Sequence, residues 1–161
     1  MNKETADVID KLVGILREES AEFIKQFPNS TPSLQLSTFN ASELTDLEKE
    51  FQIRIPQPYR EFLEQYSPIR FHIMYTDIYG ITSLRKELKD YIPDELLEER
   101  FLPFAGSSGD YYCLNMETDE DKVYFFDHEE YQISDRKLNF KDFFQGLLDS
   151  KLELKEKNNS K

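Results

Sequence analysis

The 161-residue chain reads as an α+β protein in which helices flank a sheet. Two observations predict this class. From Phe101 to Glu130 the sequence FLPFAGSSGDYYCLNMETDEDKVYFFDHEE alternates aromatic or apolar runs with Gly, Ser and acidic residues, the pattern of short strands joined by turns. On both sides of this stretch apolar residues recur at three- and four-residue spacing, which gathers them on one side of amphipathic helices.

The predicted strands cover residues 101–104, 111–116 and 123–126. In the second, Tyr112, Leu114 and Met116 fall on one face and Tyr111 and Cys113 on the other; in the third, Val123 and Phe125 alternate with Tyr124 and Phe126. Strands apolar on both faces lie in the middle of a sheet and are covered on both sides. Gly106 and Gly109, around Ser107 and Ser108, allow a sharp turn between the first two strands. Glu117, Asp119, Glu120 and Asp121 repel one another and cannot be buried unpaired. Residues 117–122 are therefore expected to project into solvent as a hairpin tip.

The first helix is predicted over 5–26, with Val8, Ile9, Leu12, Ile15, Leu16, Phe23 and Ile24 on its apolar side and Phe27-Pro28 closing it. Residues 29–40 read as a connector with apolar anchors at Leu34, Leu36 and Phe39. A second helix over 42–51 has Ser42 as its expected N-cap, and Ile53-Arg54-Ile55-Pro56 breaks it. A third, over 57–66, tolerates Pro58 in its first turn and aligns Tyr59, Phe62, Leu63 and Tyr66. Residues 71–81 read as one or two strands, with the interruption expected near Thr76-Asp77. Leu84, Leu88 and Tyr91 form a short helical stripe, and 93–100 another turn or two. Asn139 can cap a last helix over 140–152 carrying Phe140, Phe143, Phe144, Leu147 and Leu148, followed by a frayed tail, KEKNNSK. No linker or repeat divides the chain, so one domain is expected over 1–161.

Composition narrows the partners. A formal net charge of −12 disfavours nucleic acid and anionic membrane, whose binding needs clustered Lys and Arg, and favours a basic protein steered by the field of an acidic surface. A solvated acidic face accounts for the charge equally well. The lone Cys113 excludes an internal disulfide and a cysteine-rich zinc site and fits a reducing cytoplasm. No signal-like or membrane-spanning apolar run is visible in the sequence.

Catalytic constellations are sparse. Asp127-His128-Glu129-Glu130 is the one local group with metal-ligand or acid–base chemistry, but adjacent strand residues point to opposite faces, and His72 is far away in sequence. Cys113, inside an aromatic strand, reads as a small buried hydrophobe with a raised pKa. Gly106 to Gly109 lacks the spacing and lysine of a phosphate loop. No catalytic residue, metal ligand or cofactor is expected. Tyr111, Glu117, Asp119, Glu120, Asp121, Asp127, Glu129 and Glu130 are the candidate partner-binding residues, a negative surface with Tyr111 or Tyr131 as aromatic anchor, and a solvated charged face is an equal reading of the same residues.

Two blocks resemble the SUKH superfamily, the group of fungal cell-wall-assembly regulators and many bacterial toxin immunity proteins. The first is ELTDLEKEFQIRIPQPYREFLEQY, through Leu47, Glu48, Phe51, Ile55, Pro56, Tyr59, Phe62 and Leu63. The second is a Pro-Phe strand, a glycine loop leading to Gly-Asp-Tyr-Tyr, and a strand ending in Asp-His-Glu: Pro103, Phe104, Gly109, Asp110, Tyr111, Tyr112, Val123, Tyr124, Asp127, His128 and Glu129. Where that superfamily usually turns through Asn-Gly or Gly-Gly, this chain reads Tyr66-Ser67-Pro68-Ile69. The resemblance covers residues 42–148 and implies a common core there, a central, mainly antiparallel sheet with helices packed on it, to which the first helix at 5–27 is an extension. It also implies a non-catalytic immunity protein that binds and blocks a cognate toxin domain in the cytoplasm of the producing cell. A nuclease is the toxin class that the charge suits, carboxylates standing where phosphates would bind. The alternatives are a protein-interaction scaffold or regulator of the cell-wall-assembly type and, from a different class, a metal-assisted hydrolase using Asp127, His128 and Glu129.

Overall fold

The computed structural model describes residues 1–160. Among them the elements run α1 (Lys3–Gln26), β1 (Leu34–Leu36), α2 (Ala41–Phe51), α3 (Gln57–Tyr66), β2 (Pro68–Ile73), β3 (Thr76–Ile78), α4 (Ile81–Asp90), α5 (Asp94–Glu98), β4 (Phe101–Ser107), β5 (Asp110–Asn115), β6 (Lys122–Asp127), β7 (Gln132–Asn139) and α6 (Phe140–Asn159). The seven strands form one sheet in chain order, each antiparallel to the strand before it. The chain is thus an α+β fold with an antiparallel sheet.

The central strands are covered on both faces, as their alternation demands. Tyr112 packs on Phe143 of α6 with ring centroids 4.8 Å apart, and Phe104 lies 5.1 Å from Phe140 and 5.0 Å from Phe143. On the opposite face the hydroxyl of Tyr111 reaches Glu87 of α4, donating to Oε2 at 3.3 Å. Phe62 of α3 is fully buried among aromatic rings, with Phe144 at 5.5 Å, Tyr66 at 5.4 Å, Phe71 at 6.1 Å and Phe140 at 6.3 Å. Helix α1 joins this core through Val8, Ile9, Leu12, Val13 and Leu16. It lies against α6, tied by a Lys151–Glu19 ion pair at 2.7 Å, and Tyr66 donates to Asp10 of α1 at 2.6 Å.

Several boundaries differ from the sequence expectation, each for a local reason. The connector over 29–40 contains β1, because Leu34 has a partner in Phe71 of β2. Helix α2 is capped by Asn40 rather than Ser42. The Asn40 carboxamide oxygen accepts the Ser42 backbone N–H at 3.0 Å and its hydroxyl at 2.7 Å, so the serine serves as a donor within the cap. The departure at Tyr66-Ser67 keeps the sharp turn: Ser67 adopts φ 39° at the C-cap of α3, and its N–H donates to the Leu63 carbonyl at 2.9 Å. Tyr91 leaves the buried stripe of Leu84 and Leu88 and is 61% exposed. The tail continues α6 to Asn159, although the last residue of the expected frayed segment, Lys161, lies outside the described residues.

The break between β2 and β3 falls at Met74 and Tyr75, not at Thr76-Asp77, which belong to β3. Ile73 pairs with Thr76, leaving two loop residues with φ of 49° and 68°. A two-residue hairpin with both central φ positive suits Asn-Gly, and side chains without that tolerance carry a conformational cost. Replacing Met74-Tyr75 by Asn-Gly is expected to raise stability by roughly 1 kcal/mol in urea titration. A fall in the midpoint would contradict this account of the turn.

Candidate interaction surface

The expected negative end of the sheet is two separate groups. Strand β6 runs from Lys122 to Asp127, so residues 117–121 precede it and residues 127–130 follow it. Six residues of strand separate their ends by roughly 17 Å at about 3.3 Å per residue. The single acidic surface expected from the sequence is corrected accordingly, because a hairpin alternates its turns between opposite ends of a sheet.

The first group is tied down. Arg54, from the break between α2 and α3, forms an ion pair with Asp119 and donates to the carbonyls of Met116 at 3.2 Å and Thr118 at 3.1 Å. The Gln57 N–H adds a bond to Asp119 Oδ1 at 3.1 Å. Hydrogen bonding from Arg54, then from the Gln57 backbone, holds the Asp119 carboxyl below its ordinary pKa. Arg100 pairs with Glu117 at 2.8 Å. The loop therefore folds against the α2–α3 corner instead of standing free in solvent, with Glu120 and Asp121 left exposed.

The second group sits where three two-stranded turns meet. The β2–β3 turn at Met74-Tyr75, the β4–β5 turn at Ser108-Gly109 and the β6–β7 turn over 128–131 all lie at one end of the sheet, because β3, β4, β5 and β6 pair in register there. Ser108 and Gly109 have φ of 51° and 91°, the geometry the glycine supplies. A Cβ on Gly109 would lie 3.3 Å from the His128 ring, so the glycine also lets the two turns meet.

Asp110 joins these turns. Its Oδ1 accepts the His128 backbone N–H at 3.0 Å and lies 2.7 Å from Nδ1 of the ring. The bond to Asp110 raises the His128 pKa above its ordinary value, against partial desolvation. Desolvation pushes the Asp110 carboxyl up, but the His128 backbone, ring and charge together outweigh it and hold the group below its ordinary value. The raised histidine stabilises the fold fully below pH about 6.5 and loses that contribution as pH rises through its folded pKa; the lowered aspartate contributes above pH about 3.9 and loses its share on acidification. Titration of the His128 ring by NMR is expected to show a midpoint above the ordinary imidazole value that moves downward in Asp110→Asn. An unchanged midpoint would remove the ion pair from the account.

Asp127 uses Oδ1 to accept the N–H groups of Glu129 at 2.9 Å and Glu130 at 3.3 Å, which fixes the turn and leaves the Glu129 and Glu130 side chains exposed. One ligand atom each from Asp110, Asp127 and His128 lie within 4.8 Å of one another. Asp110 therefore replaces Glu129 in the group that the sequence suggested. Cys113 is fully buried, and burial pushes its thiol up, away from the thiolate a nucleophile needs.

Tyr111 does not fill the expected role of surface anchor. It is 5% exposed, because its strand faces α4, and its hydroxyl is engaged by Glu87. The exposed aromatic residues of this end are Tyr75 at 86%, Tyr91 at 61% and Tyr131 at 52%. Tyr131 donates to Glu95 Oε2 at 2.7 Å and packs edge-on against Phe126, so its ring is held in place. Among the described residues no lysine or arginine makes an ion pair with Asp127, Glu129, Glu130, Glu87 or Glu95. Sequence reasoning missed Tyr75, Tyr91 and Glu87. The signal for Tyr75 was present, since an aromatic residue stood between two short strands where turn chemistry asks for glycine.

Among the described residues no helix is long and apolar enough to cross a membrane. Residues 38–146, more than half of the chain, match the family model described as SMI1 / KNR4 family (SUKH-1). No curated protein and no solved structure matches the chain.

Proposed function

Because the chain belongs to the SMI1 / KNR4 family (SUKH-1), we propose that it is a non-catalytic immunity protein, acting in the cytoplasm by binding and occluding a basic toxin domain. The observation that carries this reading is the contrast between the two acidic groups. Arg54 and Arg100 pair with Asp119 and Glu117, two of the four acids that precede β6, whereas among the described residues Asp127, Glu129 and Glu130 make no ion pair with lysine or arginine and stand beside the exposed Tyr131. Uncompensated carboxylates around a rigid aromatic ring favour a cationic protein surface: the charges speed encounter and the ring anchors the complex. A nuclease fits as the target, since its phosphate-binding groove is basic. An interface of about 1,600 Å² would occlude such a groove.

The test is co-expression with the product of the adjacent open reading frame, read as host growth. Wild-type protein is expected to restore growth and to form a complex that purifies intact, without consuming any substrate of its own. Binding to a host protein with no rescue would move the reading to the scaffold alternative. Calorimetry with zinc and manganese addresses the hydrolase alternative: metal binding abolished by Asp127→Ala and His128→Ala, together with turnover, would overturn the non-catalytic assignment.

A further inference from the structure

Beside the three turns lies a pocket of about 190 Å³ whose walls include Asp77, Glu87, Tyr79, Tyr91 and Tyr111, with Gly106 to Gly109 along its floor. Tyr79 is 4% exposed, and its hydroxyl has no hydrogen-bond partner among the described residues. The other deep phenols are satisfied: Tyr59 donates to the Tyr79 carbonyl at 2.7 Å, Tyr66 to Asp10 at 2.6 Å and Tyr111 to Glu87 at 3.3 Å. The Tyr79 ring is buried while its hydroxyl, unused by the protein, lines the pocket over Gly106, where a guest can reach it. Any Cβ at Gly106 would stand 2.1 Å from the Tyr79 hydroxyl, so the glycine makes the space in which it lies.

The walls select the sign of a guest. Asp77 and Glu87 both line the pocket, and among the described residues neither lysine nor arginine does. Desolvation pushes Glu87 upward despite the hydrogen bond from Tyr111, and the charge of Asp77 pushes the same way. Asp77 holds one ring nitrogen of His72 at 2.8 Å through Oδ1, which fixes the carboxylate at the pocket wall. Tyr91 contributes an exposed ring at the mouth.

We propose that this pocket receives the guanidinium group of an arginine side chain from the protein partner, clamped between the Asp77 and Glu87 carboxylates, donating to the Tyr79 hydroxyl and stacked on Tyr91. The inference rests on the partner reading above and locates one contact within it. Arginine fits better than lysine because a planar fork with five donors can serve two carboxylates and a phenol together, and because a guanidinium stacks on an aromatic face. An anionic guest is excluded by the two carboxylates.

The test is an amide-shift titration of the full chain with N-acetyl-arginine N-methylamide, with the citrulline analogue as its uncharged isostere and agmatine as a free small cation. Blocked arginine is expected to bind saturably in the millimolar range, with shifts confined to Asp77, Tyr79, Glu87 and the Gly106 to Gly109 turn. Glu87→Gln, which retains an acceptor for Tyr111, is expected to weaken it roughly tenfold. Tyr91→Ala, at an exposed position that the core does not use, should weaken it several-fold with an unchanged melting temperature. Equal shifts from the citrulline analogue, shifts spread over every acidic surface, or no effect of Glu87→Gln would overturn the pocket. Agmatine binding tenfold tighter than blocked arginine would overturn its assignment to a protein side chain. Growth rescue without a site-specific titration removes the pocket alone; a site-specific titration without rescue removes the immunity reading alone.

Discussion

Phe62→Ala is expected to lower unfolding stability by about 3 to 5 kcal/mol, the largest effect of any single truncation considered. Phe62 is fully buried, and its ring touches others from α3, β2 and α6: Tyr59, Tyr66, Phe71, Phe140 and Phe144. Removing it deletes the transfer energy of a large side chain and leaves a void that these rings cannot close, because each is itself pinned by strand or helix backbone. Phe62→Leu should recover part of the loss. Phe23→Ala, at a ring 40% exposed near the end of α1, is the control and should change stability little. Urea midpoints at constant m-value give the comparison. A loss below about 1 kcal/mol for Phe62→Ala would mean that α3 and α6 are not clamped as described.

Reversing Asp127, Glu129 and Glu130 together to lysine is expected to slow association with the toxin partner by roughly 10- to 100-fold at low salt, with the deficit shrinking as salt is added. Among the described residues these carboxylates make no ion pair with lysine or arginine, so reversal changes the outward field while sparing pairs such as those of Arg54, Arg100 and Lys122. The Asp127 hydrogen bonds to Glu129 and Glu130 are lost as well. A Glu129→Lys, Glu130→Lys variant that retains Asp127 separates field from turn geometry. The opposite group gives the counter-experiment. Glu117→Lys with Asp119→Lys sets like charges beside Arg100 and Arg54 and should lower stability more than it slows binding. If the two sets of reversals slowed association equally, the distinction between the two ends would fall.

Most of the fold was legible because the relevant forces are local. Alternation in 111–116 specified a strand covered on both faces, and the stripe Tyr59, Phe62, Leu63, Tyr66 specified the buried side of α3. What escaped were features set by partners distant in the chain. Leu34 and Leu36 look like isolated anchors until β2 arrives beside them, and Asn40 outcompetes Ser42 for the cap by a two-residue offset that either side chain could have supplied. The interaction surface was harder. Eight residues were singled out by charge and aromaticity, but a run of acids carries no record of which arginine will fold over it. Arg54 reaches Asp119 from 65 positions away. Tyr111 and Tyr131 likewise look alike in sequence, and only the placement of α4 and α5 decides that one is inside and the other outside.

The strand order bears on how the protein comes into being. Each strand docks beside the one made just before it, so the sheet can grow as a zipper during synthesis and never has to open to admit a latecomer. The lid follows the whole sheet. Until α6 emerges, Phe104, Tyr112 and Phe62 lack the Phe140, Phe143 and Phe144 rings that cover them, and α1 waits without its neighbour. A ribosome-bound chain halted before residue 140 should therefore attract holdase chaperones, and release of that grip should coincide with α6 clearing the exit tunnel.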